Sequence, residues 1–319
     1  MVQNINPLVS SVGDHISMID LMESGAEGRT AGYLIEAEKL TLVETGPGPS
    51  GDLILHVLRE KGYTLSDLRY IVVTHIHLDH AGAAGYLLSR CPQAMLVVHP
   101  SGARHMADPS RLIAGAKMAF DDFDARFQPV IPIPPERILS VAHEEALDLG
   151  NRKLIFYHGR GHANHHLTAL DSLTQGLFSG DLLGIHVPEF AQYNIDYSLL
   201  STAPSQFDPV SFTASLKKIE EINPRTIYFS HFGVVTGLAA KYIDTCRENL
   251  ALFQQVTAEA CSQGEATWQE IAGRLKIAVK DKLVKMGYPK EKPLPIFIEQ
   301  NIDLDAKGLL DWVEKSQGK

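Results

Sequence analysis

Cysteine is scarce in this chain: three in 319 residues, Cys91, Cys246 and Cys261, far apart and without a C-x-x-C pair. That spacing indicates neither a disulfide framework nor a zinc ribbon and points to buried or idle thiols in a reducing compartment. Clusters of Lys and Arg are also missing, and the formal net charge is −9. Neutralising nucleic-acid phosphates needs such clusters, so neither a nucleic-acid partner nor nuclease activity is expected. No apolar run approaches the length of a membrane span, and residues 1–7 lack the basic-then-apolar order of a secretory signal. The expectation is therefore a cytoplasmic protein with no membrane partner. What remains, 45% apolar and 21% charged, is the balance of an ordinary globular chain, long enough for one large domain and an appendage.

One stretch concentrates the chemistry. Thr74-His75-Ile76-His77-Leu78-Asp79-His80-Ala81-Gly82 packs four metal-ligating side chains into six positions behind the apolar run Tyr70-Ile71-Val72-Val73. That run reads as a buried strand. In extended backbone residues two apart share a face, so His75 and His77 can chelate one ion while Ile76 and Leu78 point into apolar packing. The small residues that follow, Ala81 to Gly85, suit a helix start packed closely on a sheet, which brings Asp79 and His80 towards a second ion.

Along the chain, residues 16–22, 31–37 and 40–43 read as strands, the last running into Glu44-Thr45-Gly46-Pro47. Ser50 is placed to cap a helix through Leu58. A strand at 95–98 ends at His99, and residues 103–127 have helical spacing, read as one long excursion over a rim of the pocket. Residues 132–139 and 146–150 read as short strands. Residues 153–158 lead into Gly159-Arg160-Gly161-His162, where Gly161 permits a tight turn and His162 is the natural third imidazole for the His75/His77 ion. Residues 176–180 precede Asp181, and 225–230 precede His231. Four strand exits thus carry His75/His77, His162, Asp181 and His231, and catalytic groups gather where the carboxyl ends of strands meet. Between the last two lies an aromatic, loop-like segment, 185–208, with His186, Tyr193 and Tyr197 as candidate substrate contacts. Beyond residue 238 the pattern is helical, 239–261, 267–286 with Thr267 as N-cap, and 296–313. This tail carries no ligand-like cluster; it covers the pocket or forms a contact in a homo-oligomer.

These motifs resemble the metallo-β-lactamase-fold superfamily: H-x-H-x-D-H at His75 to His80, G-H-x-x-x-H at Gly161 to His166, the strand ending at Asp181, and His231. With Glu44-Thr45-Gly46-Pro47, His99 to His105 and Tyr228 to Gly233, they look like its glyoxalase-II-like branch, over roughly residues 15–237. The resemblance implies an α/β fold, a four-layer αββα sandwich with a dinuclear centre at one edge. The domains expected are a catalytic one at 1–237 and a helical C-terminal extension at 238–319. It places His166 in a partner position beside His162, and Asp181 as a carboxylate bridging both ions. The pattern departs from the superfamily twice. Glu44 stands where an aspartate is usual, and His165, where many relatives have glycine, becomes an imidazole facing substrate or solvent.

The resulting assignment gives His75, His77 and His162 to one ion, Asp79, His80 and His231 to the second, and Asp181 to both. Such nitrogen and oxygen donors suit two divalent ions, zinc first, iron or manganese otherwise. A hydroxide bridging the metals would attack a small acyl substrate, a thioester, lactone or ester, with Asp79 as the catalytic carboxylate orienting it. The alternatives are an acyl-homoserine lactonase with the same machinery and a mononuclear iron oxygenase of the persulfide-dioxygenase kind.

Overall fold

The computed structural model of the chain describes residues 8–202, 204–262, 264 and 266–318; residues 1–7, on which the reading of targeting rested, lie outside them. The chain forms two compact units that interleave in sequence. One comprises Met1–His158, His165–Gly180 and Pro224–Thr236, the other Gly159–Asn164, Asp181–Asn223 and Gly237–Lys319.

The first unit holds two sheets. The larger runs β1 (Val9–Gly13), β2 (Ile16–Asp20), β3 (Ala31–Ile35), β4 (Leu40–Val43), β5 (Leu68–Val72), β6 (Met95–Val98) and β7 (Ile138–Ser140), paired in chain order. Its first four strands are antiparallel, and β4 to β7 are parallel. The other sheet contains β8 (Ala146–Asp148), β9 (Lys153–His158), β10 (Leu167–Asp171) and β11 (Gly176–Gly180). It is completed, after the short pair β12 (Ile185–His186) and β13 (Ser198–Leu199) of the second unit, by β14 (Thr226–Phe229) and β15 (Gly233–Thr236). Only β11 and β14 run parallel there, so the chain leaves both at the same end.

Strand alternation explains the layering. On adjacent strands Leu42, Ile71, Leu96 and Val98 face one way, while Val43, Val72 and Val97 face the other. Both sets are fully buried, as expected of parallel strands covered on both faces. The first set meets helices α1 (Ser50–Glu60), α2 (Leu78–Ala81) and α3 (Ala84–Arg90) through Ile54, Leu55, Leu58, Ala81 and Leu87. The second packs against Leu154, Phe156, Leu167, Ala169, Phe178 and Tyr228 of the other sheet. Tyr33 ties this interior together: its ring lies edge-on to Phe178 and Tyr228, both at 5.4 Å, and its hydroxyl donates to the Phe229 carbonyl at 2.6 Å.

Three local expectations need correction. Ser50 does not cap α1; its hydroxyl donates to the Leu21 carbonyl at 2.9 Å, so it tethers the helix start to a neighbouring loop. The single helical excursion at 103–127 is three helices, α4 (Pro100–Ala107), α5 (Ser110–Ala119) and α6 (Phe123–Phe127), broken at Asp108 and Pro109 and again at Phe120. Proline cannot continue the hydrogen-bond ladder, and the residue before it is pushed out of helical backbone. Within 132–139 only the last two residues belong to a strand, because Pro135–Arg137 forms a 3₁₀ turn.

The second unit is mostly helical: α7 (Pro209–Ile222), α8 (Ala239–Ser262), α9 (Trp268–Lys285) and α10 (Ile296–Ser316). Helix α9 starts with a reciprocal capping box. The Thr267 hydroxyl accepts from the Glu270 amide, and the Glu270 carboxylate accepts from the Thr267 amide. Thr267→Ala removes one half of it and should lower the unfolding free energy by about 1 kcal/mol, read from urea midpoints at unchanged slope. Among the described residues no helix is long and apolar enough to cross a membrane.

Candidate metal centre

Strand β5 ends at Val72, and the extended run expected through residue 78 does not continue: the backbone bends at Thr74, His75 and His77 and is helical from Leu78, although Ile76 and Leu78 are buried apolar side chains as expected. His75 Nε2 and His77 Nδ1 lie 2.9 Å apart. That is near the roughly 3.3 Å kept by two nitrogens on a tetrahedral zinc with Zn–N distances of about 2.0 Å. His75 Nδ1 meets the Thr74 hydroxyl at 3.1 Å, which leaves Nε2 as the ring atom that could ligate an ion. His77 is the N-cap of α2, so the chain turns there and carries Asp79 and His80 on the first helical turn. His231 comes from the tight connection between β14 and β15.

Asp79 Oδ2 lies 3.4 Å from His80 Nε2 and 3.6 Å from His231 Nε2. One ligand atom from each of the three falls within 4.8 Å of the others, a set that can hold a metal ion. The two imidazoles are buried, whereas Asp79 keeps 27% of its side chain exposed.

Glu44 organises this cluster from behind. It is fully buried at the exit of β4; its Oε1 accepts from the Thr74 amide at 3.1 Å and from the Ser230 hydroxyl at 3.2 Å, and its Oε2 lies 3.3 Å from His80 Nδ1. One carboxylate thereby joins three strand exits and stands against the imidazole of a candidate ligand. Its backbone is left-handed, φ 64°, which costs a non-glycine residue energy that the surrounding bonds must offset. Glu44→Gln should lower metal affinity about 10–100-fold, measured by competition with a chromogenic chelator.

His165 and His166 also belong to this unit. The His166 ring stacks on His75 at 5.0 Å, and His165 stands edge-on to His77 at 5.4 Å. Glycine is required at Gly180, with φ 53°, because a Cβ there would sit 2.3 Å from His166 Nε2. His99 is structural: its Nδ1 accepts from the Ser101 amide and caps α4.

The remaining candidates lie in the second unit. His162 Nε2 is 3.5 Å from Asp181 Oδ2, and both are buried. Gly161, with φ 126°, permits the approach of this turn to Phe212, whose Cα would stand 2.3 Å from an added Cβ. Ser201, absent from the residues singled out by motif, links the pair: its carbonyl faces His162 Nδ1 at 3.2 Å and its hydroxyl donates to Asp181 Oδ2 at 3.0 Å. A lone serine in an aromatic loop carries no spacing signal. Of the proposed substrate contacts here, His186 lies 5.9 Å from the Tyr242 ring, and the Tyr193 hydroxyl accepts from Lys292 at 2.7 Å. Tyr197 is fully buried 6.0 Å from Phe190, and burial pushes its hydroxyl well above the ordinary range.

Two face-to-face sheets with a histidine–aspartate cluster at the strand exits define an α/β protein with residues that could hold metal ions. The sequence model of the metallo-beta-lactamase superfamily matches residues 25–231, and the chain belongs to that superfamily, whose members are mostly metal-dependent hydrolases. It is 26% identical over 176 residues to the metallo-beta-lactamase fold-containing protein ST1585 of Sulfurisphaera tokodaii. The match covers 54% of this chain and spans 63% of that relative's length. The crystal structure of ST1585 superposes with a TM-score of 0.63 at 19% identity, covering 93% of this chain and 98% of that one. The family protein TTHA1429 of Thermus thermophilus also gives 0.63, at 18% identity, covering 90% and 89%. At these identities the structures establish the shared fold, and the α/β sandwich with a C-terminal helical region is the architecture expected from the motifs.

Proposed function

We propose that the chain is a metal-dependent hydrolase of a small acyl compound, a thioester, lactone or ester, in the glyoxalase-II-like manner. The observation that carries this reading is the meeting of Asp79, His80 and His231 beside His75 and His77 on one sheet edge. The donors are nitrogen and oxygen only, without thiolate, which suits zinc, iron or manganese. His75 and His77 would hold one ion, and Asp79, His80 and His231 another. His162 and Asp181 are assigned as the third imidazole and the bridging carboxylate on the strength of their motifs. Bound ions of this kind bring the pKa of a coordinated water to about 7 and polarise a carbonyl. The chain's own part is positional. Thr74 and Glu44 fix the tautomers and directions of His75 and His80, while Asp79, the partly exposed carboxylate, accepts and passes on the proton of the attacking water.

The deciding experiment pairs elemental analysis of the purified protein with a panel of thioesters, lactones and phosphodiesters. About two equivalents of metal and acyl hydrolysis that vanishes on chelation and returns on reloading are expected. Undiminished turnover by metal-free protein removes the reading. A single iron with oxygen uptake replaces it with an oxygenase.

A further inference from the structure

The apolar packing of Leu78, between two of the candidate ligands, leads to a feature the hydrolase reading does not use. Leu78 is buried against Phe123 and Phe127, so α6 rests directly on the metal motif. The same short helix carries Arg126. Its Nη2 donates to Glu23 Oε1 at 2.8 Å, and Glu23 Oε2 in turn accepts from the Thr30 hydroxyl. The guanidinium lies over Phe120 and Phe127, 4.8 and 5.6 Å from their centroids. Burial opposes its charge, but the carboxylates of Glu23, Asp79 and Asp122 more than offset this and hold it above the ordinary arginine value.

The chain itself shows what a structural arginine looks like. Arg152 grips Asp171 with Nε and Nη2 together, and the two side chains are 1% and 0% exposed. Arg126 differs on each count. It touches Glu23 through one nitrogen, its Nε is buried without an acceptor among the described residues, and 22% of its side chain is exposed. A guanidinium carries five N–H donors in a planar fork suited to two parallel bonds with an oxyanion. Here one bond to Glu23 leaves the Nε–H of that fork over, and the guanidinium lies over two aromatic rings that pack edge-on to each other, where weak screening strengthens a charge-assisted bond.

We propose that Arg126 is the specificity residue of the site and that the substrate carries an oxyanion, a carboxylate or phosphate, which its guanidinium receives while the reacting carbonyl lies at Asp79, His80 and His231. The half-buried Leu112, Ile113 and Phe120 supply apolar surface for the part of the substrate between the two. This assignment rests on the acyl-hydrolase reading, and its test is chosen to separate the two.

Three S-butyl thioethers, which resemble a thioester but cannot be hydrolysed, are titrated calorimetrically into the metal-loaded full-length protein. One ends in a carboxylate, one in the matching methyl ketone and one in a phosphonate, so that none carries a hydrolysable bond. An oxyanion-bearing probe should bind about tenfold or more tightly than the ketone, since only the oxyanion can accept a charge-assisted hydrogen bond from the guanidinium. Whether carboxylate or phosphonate binds better identifies the group. In Arg126→Gln that preference should collapse to near unity, and in Arg126→Lys, which keeps the charge but not the fork, part of it should survive. Equal binding of the acid and the ketone by the parent protein, or a preference that Arg126→Gln leaves intact, overturns the assignment. Selective oxyanion binding without hydrolysis of any thioester, lactone or ester would sink the hydrolase reading alone, whereas hydrolysis without selectivity would sink the role of Arg126 alone.

Discussion

Asp79→Ala should cost on the order of a thousandfold in kcat/KM for an acyl substrate and about one of two bound metal equivalents. The substitution removes a side chain that serves in two ways. Oδ2 faces the His80 and His231 imidazoles at 3.4 and 3.6 Å, so without it that set falls to two neutral donors. It also removes the partly exposed carboxylate placed to take a proton. Asp79→Asn keeps the shape and loses the charge, so it should retain more metal than the alanine variant while staying slow. Steady-state rates and metal content measured on the same preparations check both statements. A fully active alanine variant would reduce Asp79 to an ordinary carboxylate in the first turn of a helix.

Asp171→Ala should lower the unfolding free energy by about 3–5 kcal/mol. Asp171 accepts both Nε and Nη2 of Arg152 and also the Thr174 amide and hydroxyl, while Arg152 donates to the Asp14 carbonyl. The substitution strands a guanidinium with no water to solvate it and breaks a network that fastens the end of β10 to the turn between β1 and β2. Denaturant unfolding at neutral pH reads the loss. Replacing both partners with apolar residues of similar volume should recover part of it, because a buried charge is costly chiefly when alone.

That ion pair marks where reading the sequence stops. The motif at His75 to His80 was legible from its spacing behind an apolar run, and His75 and His77 do meet, but through a bend at 74, 75 and 77 and a helix from Leu78 rather than through the extended backbone expected. The capping box at Thr267 and the strands 40–43, 95–98 and 153–158 were likewise legible from local spacing. Strand β10 was not. Leu-Thr-Ala-Leu-Asp has weak β propensity by itself and is strand because β9 and β11 pair with it on both sides. Arg152 and Asp171 are 19 positions apart, and Ser201 meets its partners across 20 and 39 positions, separations at which no pattern in the letters specifies contact. The left-handed backbone of Glu44 was equally hidden, since φ above zero is expected of glycine or asparagine.

The scarcity of cysteine has a practical side. Burial pushes the Cys91 thiol up to about 11 and the Cys246 thiol to about 12. At neutral pH fewer than about one in a thousand of either is in the reactive thiolate form. Both are also shielded from solvent, while Cys261, near the end of α8, is half-exposed. A maleimide fluorophore should therefore attach at that one position, giving a reporter on the helical unit of a natural chain with no engineered handle.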